Sequence, residues 1–429
     1  MHSSFVIKKS FLVFFLLFPF CLQAQTNKIS LRECYELALK RSETIQISDE
    51  AIVQARARYA QALSQILPKV NIKVSEFLQD DSANTSNNTT TGQVVNTFTR
   101  FSRPEVALNI SQNLFQGFRE ITAIRLAGVD ESQQRFSKED AQRLLYKDVA
   151  TAFVTIVEIE QDIQSSQKIL ASHRNRIQEL KKRISLGKSR ESEELAQEAE
   201  AKLLEASLQQ KKGDLKVAYE MLSFLTGLDP QPSIHWIDPN KLLLRPLGDY
   251  VLLAESRPDV MAKRKAAEIA KGNIKITRAD LLPNAKAEAN FYPYRVGFQK
   301  DIHWDATFTL NIPVFNWGSY GLIREVKSKA KQSELQVQLL QRQAVTDIKK
   351  AYDTYRSSME EYRKYNGAAQ KSEQSFQKQL EDYNLGLITN LDVLHAQSTW
   401  LEALRQRNDS RIRVLSHWVA LQITAGIKP

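Results

Sequence analysis

From Glu105 to Asp229, and again from Val314 to Lys428, the chain contains no proline, and this constrains the fold more than any other feature. In the first span Leu145, Val149, Ala152, Ile156, Ile159, Ile163, Ser166, Leu170, His173, Ile177, Leu180 and Ile184 follow alternating steps of three and four residues. In the second, Val345, Ile348, Tyr352, Tyr355, Met359, Tyr362, Asn366, Ala369, Glu373, Phe376, Leu380 and Tyr383 keep the same steps with more polar and aromatic members. Such spacing holds a narrow seam on one side of a helix and is the geometry of a coiled coil. It predicts helices from about Arg119 to Leu186 and from about Tyr320 to Leu385. At 1.5 Å per residue each would run to roughly 100 Å, far beyond an ordinary globular domain. A helix of that length needs neighbours along its whole course. With 42% hydrophobic and 25% charged residues and a mean hydropathy of −0.38, the chain is too apolar for a disordered polymer. It is also too polar for a bundle of membrane-crossing helices.

The halves echo each other. Arg41-Ser42-Glu43 and a helix ending at Leu67-Pro68 return as Arg257-Pro258-Asp259 and a helix ending at Leu282-Pro283. Leu108-Asn109-Ile110 returns as Leu310-Asn311-Ile312, and Leu186-Gly187 as Leu385-Gly386. A tandem duplication follows, with repeats at 25–228 and 258–429 and a proline-rich connector at 229–257. Ahead of it, Lys8 and Lys9 precede the apolar run from Phe11 to Phe20, and Ala24 offers a small residue for cleavage before Gln25. Residues 1–24 therefore have the form of an export signal, the run being too short to span ~30 Å of hydrocarbon. Pro19 and Phe20 ahead of Cys21 do not fit a lipid-attachment site. Beyond the signal only Cys34 is left, so no internal disulfide can form and stability must come from packing or assembly.

After each Leu-Pro the apolar period changes to two. Val70, Ile72 and Val74 alternate with Asn71, Lys73 and Ser75, and Val106, Leu108 and Ile110 with Ala107, Asn109 and Ser111. In the second half Ala285, Ala287, Ala289 and Phe291 lead through a turn at 297–301 to Ile302, Trp304, Ala306, Phe308, Leu310 and Ile312. Each repeat thus predicts one hairpin, at about 69–116 and 284–315, with one apolar face and enough length to cross a membrane when tilted. Four strands cannot close a membrane barrel, whose smallest examples need about eight, and no edge can stay unpaired in lipid. Three copies would supply twelve strands. Phe115, Phe118, Phe315 and Trp317 at one rim and Phe298 and Trp304 nearer the other suit interfacial girdles.

The net charge of +10 does not point to nucleic acid, because Lys and Arg are interleaved with Asp and Glu along the helices. Catalytic patterns are missing from the sequence. It has no phosphate-cradling glycine loop, no Gly-x-Ser-x-Gly elbow and no paired histidines at ligand spacing, so no enzyme, cofactor or metal is expected.

The segments "LRECYELALKRSETI", "RPDVMAKRKAAEIAKGNIKITRADLLPNAKAEANF", "LNIPVFNWGS" and "DYNLGLITNLDVLHAQSTWLEAL" resemble the TolC-type outer-membrane efflux proteins over essentially the whole mature chain. The resemblance implies a homotrimer in the outer membrane, with a twelve-stranded barrel in lipid and a coiled-coil α-barrel in the periplasm. It implies a periplasmic membrane-fusion adaptor and an inner-membrane pump or ABC exporter as partners. Adaptor docking would fall on the two helix-to-helix turns, at Leu186 and Gly187 and at Leu385, Gly386 and Thr389. By position, Asp392 matches an acid that rings the closed entrance, while the family's second acid falls on His395. That departure implies an entrance whose charge varies with pH. Tyr383 matches a linking tyrosine, with Ser192 and Glu193 as partners, and a Tyr383 to Glu193 hydrogen bond is expected. Ile388 replaces the family's linking arginine, implying a closed state with fewer charged links. The alternative is an exported periplasmic coiled-coil scaffold without a pore.

Overall fold

A computed structural model describes residues 29–78, 102–228, 234, 242–296 and 300–427. The export signal, the polar loop between the first two strands, Phe298 and residues 229–233 and 235–241 of the connector lie outside the described residues. The order is α1 (Leu31–Arg41), α2 (Glu43–Ser64), β1 (Lys69–Leu78), β2 (Ser102–Gln116), α3 (Arg119–Ser185), α4 (Glu191–Thr226). The second half follows with α5 (Leu247–Leu253), α6 (Pro258–Arg278), β3 (Asn284–Arg295), β4 (Trp304–Asn311), α7 (Trp317–Asn384), α8 (Asn390–Thr424).

The 67 residues of α3 and the 68 of α7 form the two columns the heptad spacing predicts. Shorter helices cover them in succession. α2 lies on the strand-proximal part of α3, tied by Arg56–Glu131 at 2.9 Å and Arg58–Asp130 at 2.7 Å, and α4 on the distal part, tied by Arg174–Glu205 at 2.9 Å. α6 and α8 treat α7 alike, through Lys271–Glu334 at 3.4 Å and Arg413–Glu361 at 2.8 Å. Local signals set the ends. Ser30 and Glu33 form a capping box on α1, Pro258 opens α6, and Asn316 accepts from the Ser319 amide at the start of α7. Gly272 lets α6 settle directly on Leu126 of α3, in space that a Cβ would fill.

The main apolar core gathers around mid-column, where Cys34, Tyr146, Val149, Phe153, Ile156, Leu222 and Val419 pack, with a second cluster of Tyr250, Val260, Ile348, Tyr355 and Leu421 beside it. Toward the helix turns the core thins to Ile169, Leu170, Leu204, Leu208 and Leu401. His173, Arg176, Gln197, Asn390, Gln397 and Asn408 are buried polar residues toward that end. Buried polar groups replace dispersion and hydrophobic burial with hydrogen bonds of small net worth, so apolar packing contributes less here than in the middle.

The strands form one antiparallel sheet in the order β1-β2-β3-β4, so the two hairpins join through β2 and β3. Register brings the apolar positions together: Val70 faces Ile110, Ile72 faces Leu108, Leu108 faces Phe291, Ala287 faces Phe308. The opposite face carries a polar row of Asn71, Asn109, Asn290 and Asp305. Asn109 Nδ2 donates to Asn290 Oδ1 at 2.7 Å, and Asn290 Nδ2 to Asp305 Oδ1 at 2.8 Å. Two details depart from simple alternation. β4 is only eight residues, so Ile302 and Ile312 flank it rather than belong to it. Register also shifts between Val106 and Leu108 and between Asn113 and Phe115. At the first shift the extra residue is on β3, where Pro293 has no amide to give the ladder. At the second, Leu114 is the extra residue, and Phe115 thereby joins the apolar face.

Candidate functional site

At the far end of the columns each helix pair reverses through a short turn. Gly187 (φ +67°) and Gly386 (φ +79°) occupy the left-handed region that ends these helices without strain. Leu186, Leu385 and Leu387 project from the turns into solvent, Leu385 at 74% exposure. Thr389 caps α8. Its hydroxyl donates to Asp392 Oδ2 at 2.6 Å and accepts from the Asp392 amide at 3.4 Å, and its own amide donates to the same carboxylate at 2.9 Å. The Thr389 hydroxyl, followed by its amide, holds the Asp392 carboxyl below the usual aspartate range. Asp392 is therefore an exposed anion at neutral pH, with His395, also exposed, one turn further on.

Tyr383, near the end of α7, is 8% exposed. Its ring lies between two guanidinium groups of α3, with Arg176 4.5 Å and Arg183 4.3 Å from the centroid. Both arginines also reach polar groups across the same divide. Arg176 Nη2 donates to Asn390 Oδ1 at 2.5 Å, and Arg183 Nη2 to Asn384 Oδ1 at 2.6 Å. Glu179 binds both arginines from α3 itself, at 2.7 Å and 3.4 Å. The constellation clamps the α7/α8 coil to the α3/α4 coil. Ile388 stands where the family has a linking arginine, and within the protomer α3 supplies Arg176 and Arg183 from the opposite coil. Within the protomer Glu193 accepts from the Ser189 hydroxyl at 2.5 Å rather than from Tyr383, and Ser192 is exposed beside it.

The clamp is incompletely satisfied. Arg176 Nε, Asn390 Nδ2 and, one layer deeper, Gln197 Oε1 are buried without a hydrogen-bond partner among the described residues. Groups of this kind gain solvation when the coils part, which lowers the free energy of opening. His173 is a packing residue, in contact with Gln197 through Nδ1, and burial pushes its imidazole below the ordinary value. Between α4, α7 and α8 runs a cleft of about 1180 Å³ whose walls include Leu203, Tyr365, Leu394 and His395.

At the opposite end the sheet has two free edges, β1 and β4, and its apolar face is open, with Ile72 at 73% and Phe308 at 77% exposure. Phe115 and Phe118 meet edge to face at 5.0 Å, and Phe315, Trp317 and Tyr320 form a chain of rings at the strand-to-helix junction. No helix among the described residues is long and apolar enough to cross a membrane.

The sequence profile described as outer membrane efflux protein matches residues 34–228 and 250–426. The chain belongs to this family. The profile matches twice, so the family's domain is duplicated in this chain. The outer membrane efflux protein BepC of Brucella suis is 25% identical over 302 residues, 68% of this chain and 65% of BepC. The alkaline protease secretion protein AprF of Pseudomonas aeruginosa is 21% identical over 309 residues, 69% of this chain and 64% of AprF. The matched region thus spans just under two thirds of either relative's length. A crystal structure of CusC superposes with a TM-score of 0.82 at 16% identity, over 93% of this chain and 92% of that one, which places the fold. Members of this family are transport proteins of the outer membrane, not enzymes, and they form trimeric channels that work with efflux or secretion partners. The outer membrane is accordingly this chain's location, and the poreless scaffold gives way.

Proposed function

We propose that three copies of this efflux-family chain assemble into one continuous duct, a twelve-stranded barrel in the outer membrane followed by a helical tube in the periplasm. The duct passes solutes brought to it by a periplasmic adaptor and an inner-membrane pump or ABC exporter. The observation that carries this is the four-stranded ribbon, with an open apolar face and two unpaired edges, mounted on columns of 67 and 68 residues. A ribbon of this kind is tolerable in lipid only when its edges find partners. BepC is named for efflux and AprF for protease secretion, so small molecules and proteins are both within reach of the architecture, and the cargo is chosen by the partner.

The adaptor docks on the turns carrying Leu186, Gly187, Leu385, Gly386 and Thr389. Asp392 from three copies rings the entrance and favours cations, and His395, standing where the family has a second acid, weakens that preference. Opening is a shear of the α7/α8 coils away from α3/α4 that breaks the Tyr383 clamp, with the energy supplied by the partner. Residues 1–24 direct export, and repeats 25–228 and 258–429 flank the connector at 229–257.

Planar-bilayer recording on the purified protein tests the proposal. Discrete channels from a heat-resistant trimer extracted from outer membranes support it, and a water-soluble monomer that leaves the bilayer silent rejects it. A cation preference that rises in His395→Asp supports the role given to His395. An unchanged preference would remove it.

A further inference from the structure

The polar face of the ribbon has an unbalanced charge. On β3, Lys286 pairs with Glu288, and Arg295 Nε meets Glu105 Oε2 of β2 at 2.8 Å. Asp305 of β4 already accepts from Asn290 and, at 2.7 Å, from the Tyr292 hydroxyl. Among the described residues, two cations on β1 have no such match. Lys69 opens the strand directly after Pro68, and Lys73 follows four residues on, roughly 13 Å along it. Both point away from Val70, Ile72 and Val74, and their cross-strand neighbours on β2 are Ser111 and Ala107, neither of which carries charge. On the other side β1 is a free edge. In a closed barrel that edge meets β4 of the next copy, whose polar face brings Asp305, Thr307, Thr309 and Asn311. One carboxylate can neutralise at most one of the two lysines.

We infer that Lys69 and Lys73 form an anion-attracting collar at the inner mouth of the barrel, and that solutes bearing carboxylate or phosphate groups are favoured through this section. The inference rests on the channel proposal above and adds to it the charge class of what passes. At least one uncompensated lysine per subunit repeats around a wet lumen walled by lipid-facing strands. Low-dielectric walls focus such a field across the aperture. Screening sets in over ~10 Å at 0.1 M salt, so the effect is largest in dilute electrolyte. The collar lies on the strands and the Asp392 ring at the turns, so the two sections of the duct carry opposite charge.

The test is reversal-potential measurement on single channels under a KCl gradient, with inorganic triphosphate then added on the outer-loop side as a blocker. Wild type is compared with Lys69→Gln/Lys73→Gln and with Lys69→Arg/Lys73→Arg. In the glutamine variant the chloride-to-potassium permeability ratio falls by ~2-fold or more and triphosphate block weakens, while the arginine variant keeps both. Should the double variant fail to give trimers, the single variants Lys69→Gln and Lys73→Gln are read the same way. Conducting glutamine channels with an unchanged ratio and unchanged block overturn the collar and leave the channel intact. A wild-type protein that never conducts overturns the channel proposal itself.

Discussion

Tyr383 is held by its ring, and this separates two ways the closed state could be maintained. If the clamp is the stacking of Arg176 and Arg183, Tyr383→Phe keeps two faces for the guanidinium groups and leaves the closed-state conductance near that of wild type. Tyr383→Ala removes both contacts, worth ~1–2 kcal/mol together, and raises the open population about tenfold in single-channel records. An equal rise in both variants would instead assign the link to the hydroxyl and revive the expected bond to Glu193. The arginines were hard to find in the sequence because they lie off the apolar seam, where charged residues ordinarily face water, and their partners on α7 and α8 are about two hundred residues away. One signal was present: Arg176 and Arg183 are seven residues apart and so keep a heptad step of their own. Tyr383, by contrast, stood on the predicted seam and is buried there.

At the scale of elements, the N-terminus of α8 depends on a titratable cap. Asp392 is held below the usual aspartate range in the folded state, so its contribution is complete above the ordinary value of ~3.9 and is lost as pH falls through the lowered one. Amide exchange at residues 390–393 should therefore show constant protection from neutral pH down to the carboxylate range and a loss below it. Asp392→Asn should abolish the acid step, and a step that survives would place the titration elsewhere. Thr389→Ala, which removes the cap's hydroxyl, should weaken the turn by about 1 kcal/mol at any pH where the helix is formed. The long columns and both hairpins were legible because period 3.5 and period 2 are imprinted on side-chain polarity. The bulges were not, since a two-against-one backbone count leaves almost no side-chain mark; Pro293, which cannot serve a central ladder, was the one hint. β4 ends at Asn311, opposite Asn284, the residue at which β3 begins.

For the whole molecule, the described protomer is unfinished. Its apolar strand face and both sheet edges are open, as are Ile47 and Val53 on α2 and Leu335 and Leu339 on α7. Lipid covers the strand face, and a second copy can satisfy the edges and the helix residues together if β1 and α2 of one subunit meet β4 and α7 of the next, with three such contacts closing the ring. The buried Cys34, whose thiol burial pushes up to about 11, stays inert to mild oxidation and leaves engineered thiols to report alone. The decisive measurement is oxidative cross-linking of a conducting preparation carrying cysteines scanned across Asn71 to Val74 on β1 and Ala306 to Thr309 on β4. Edge-to-edge pairing between copies predicts a ladder of monomer, dimer and covalent trimer that ends at the trimer for at least one cysteine pair. Conducting channels in which no pair links separate chains, or in which β1 and β4 of a single chain link to each other, would contradict it.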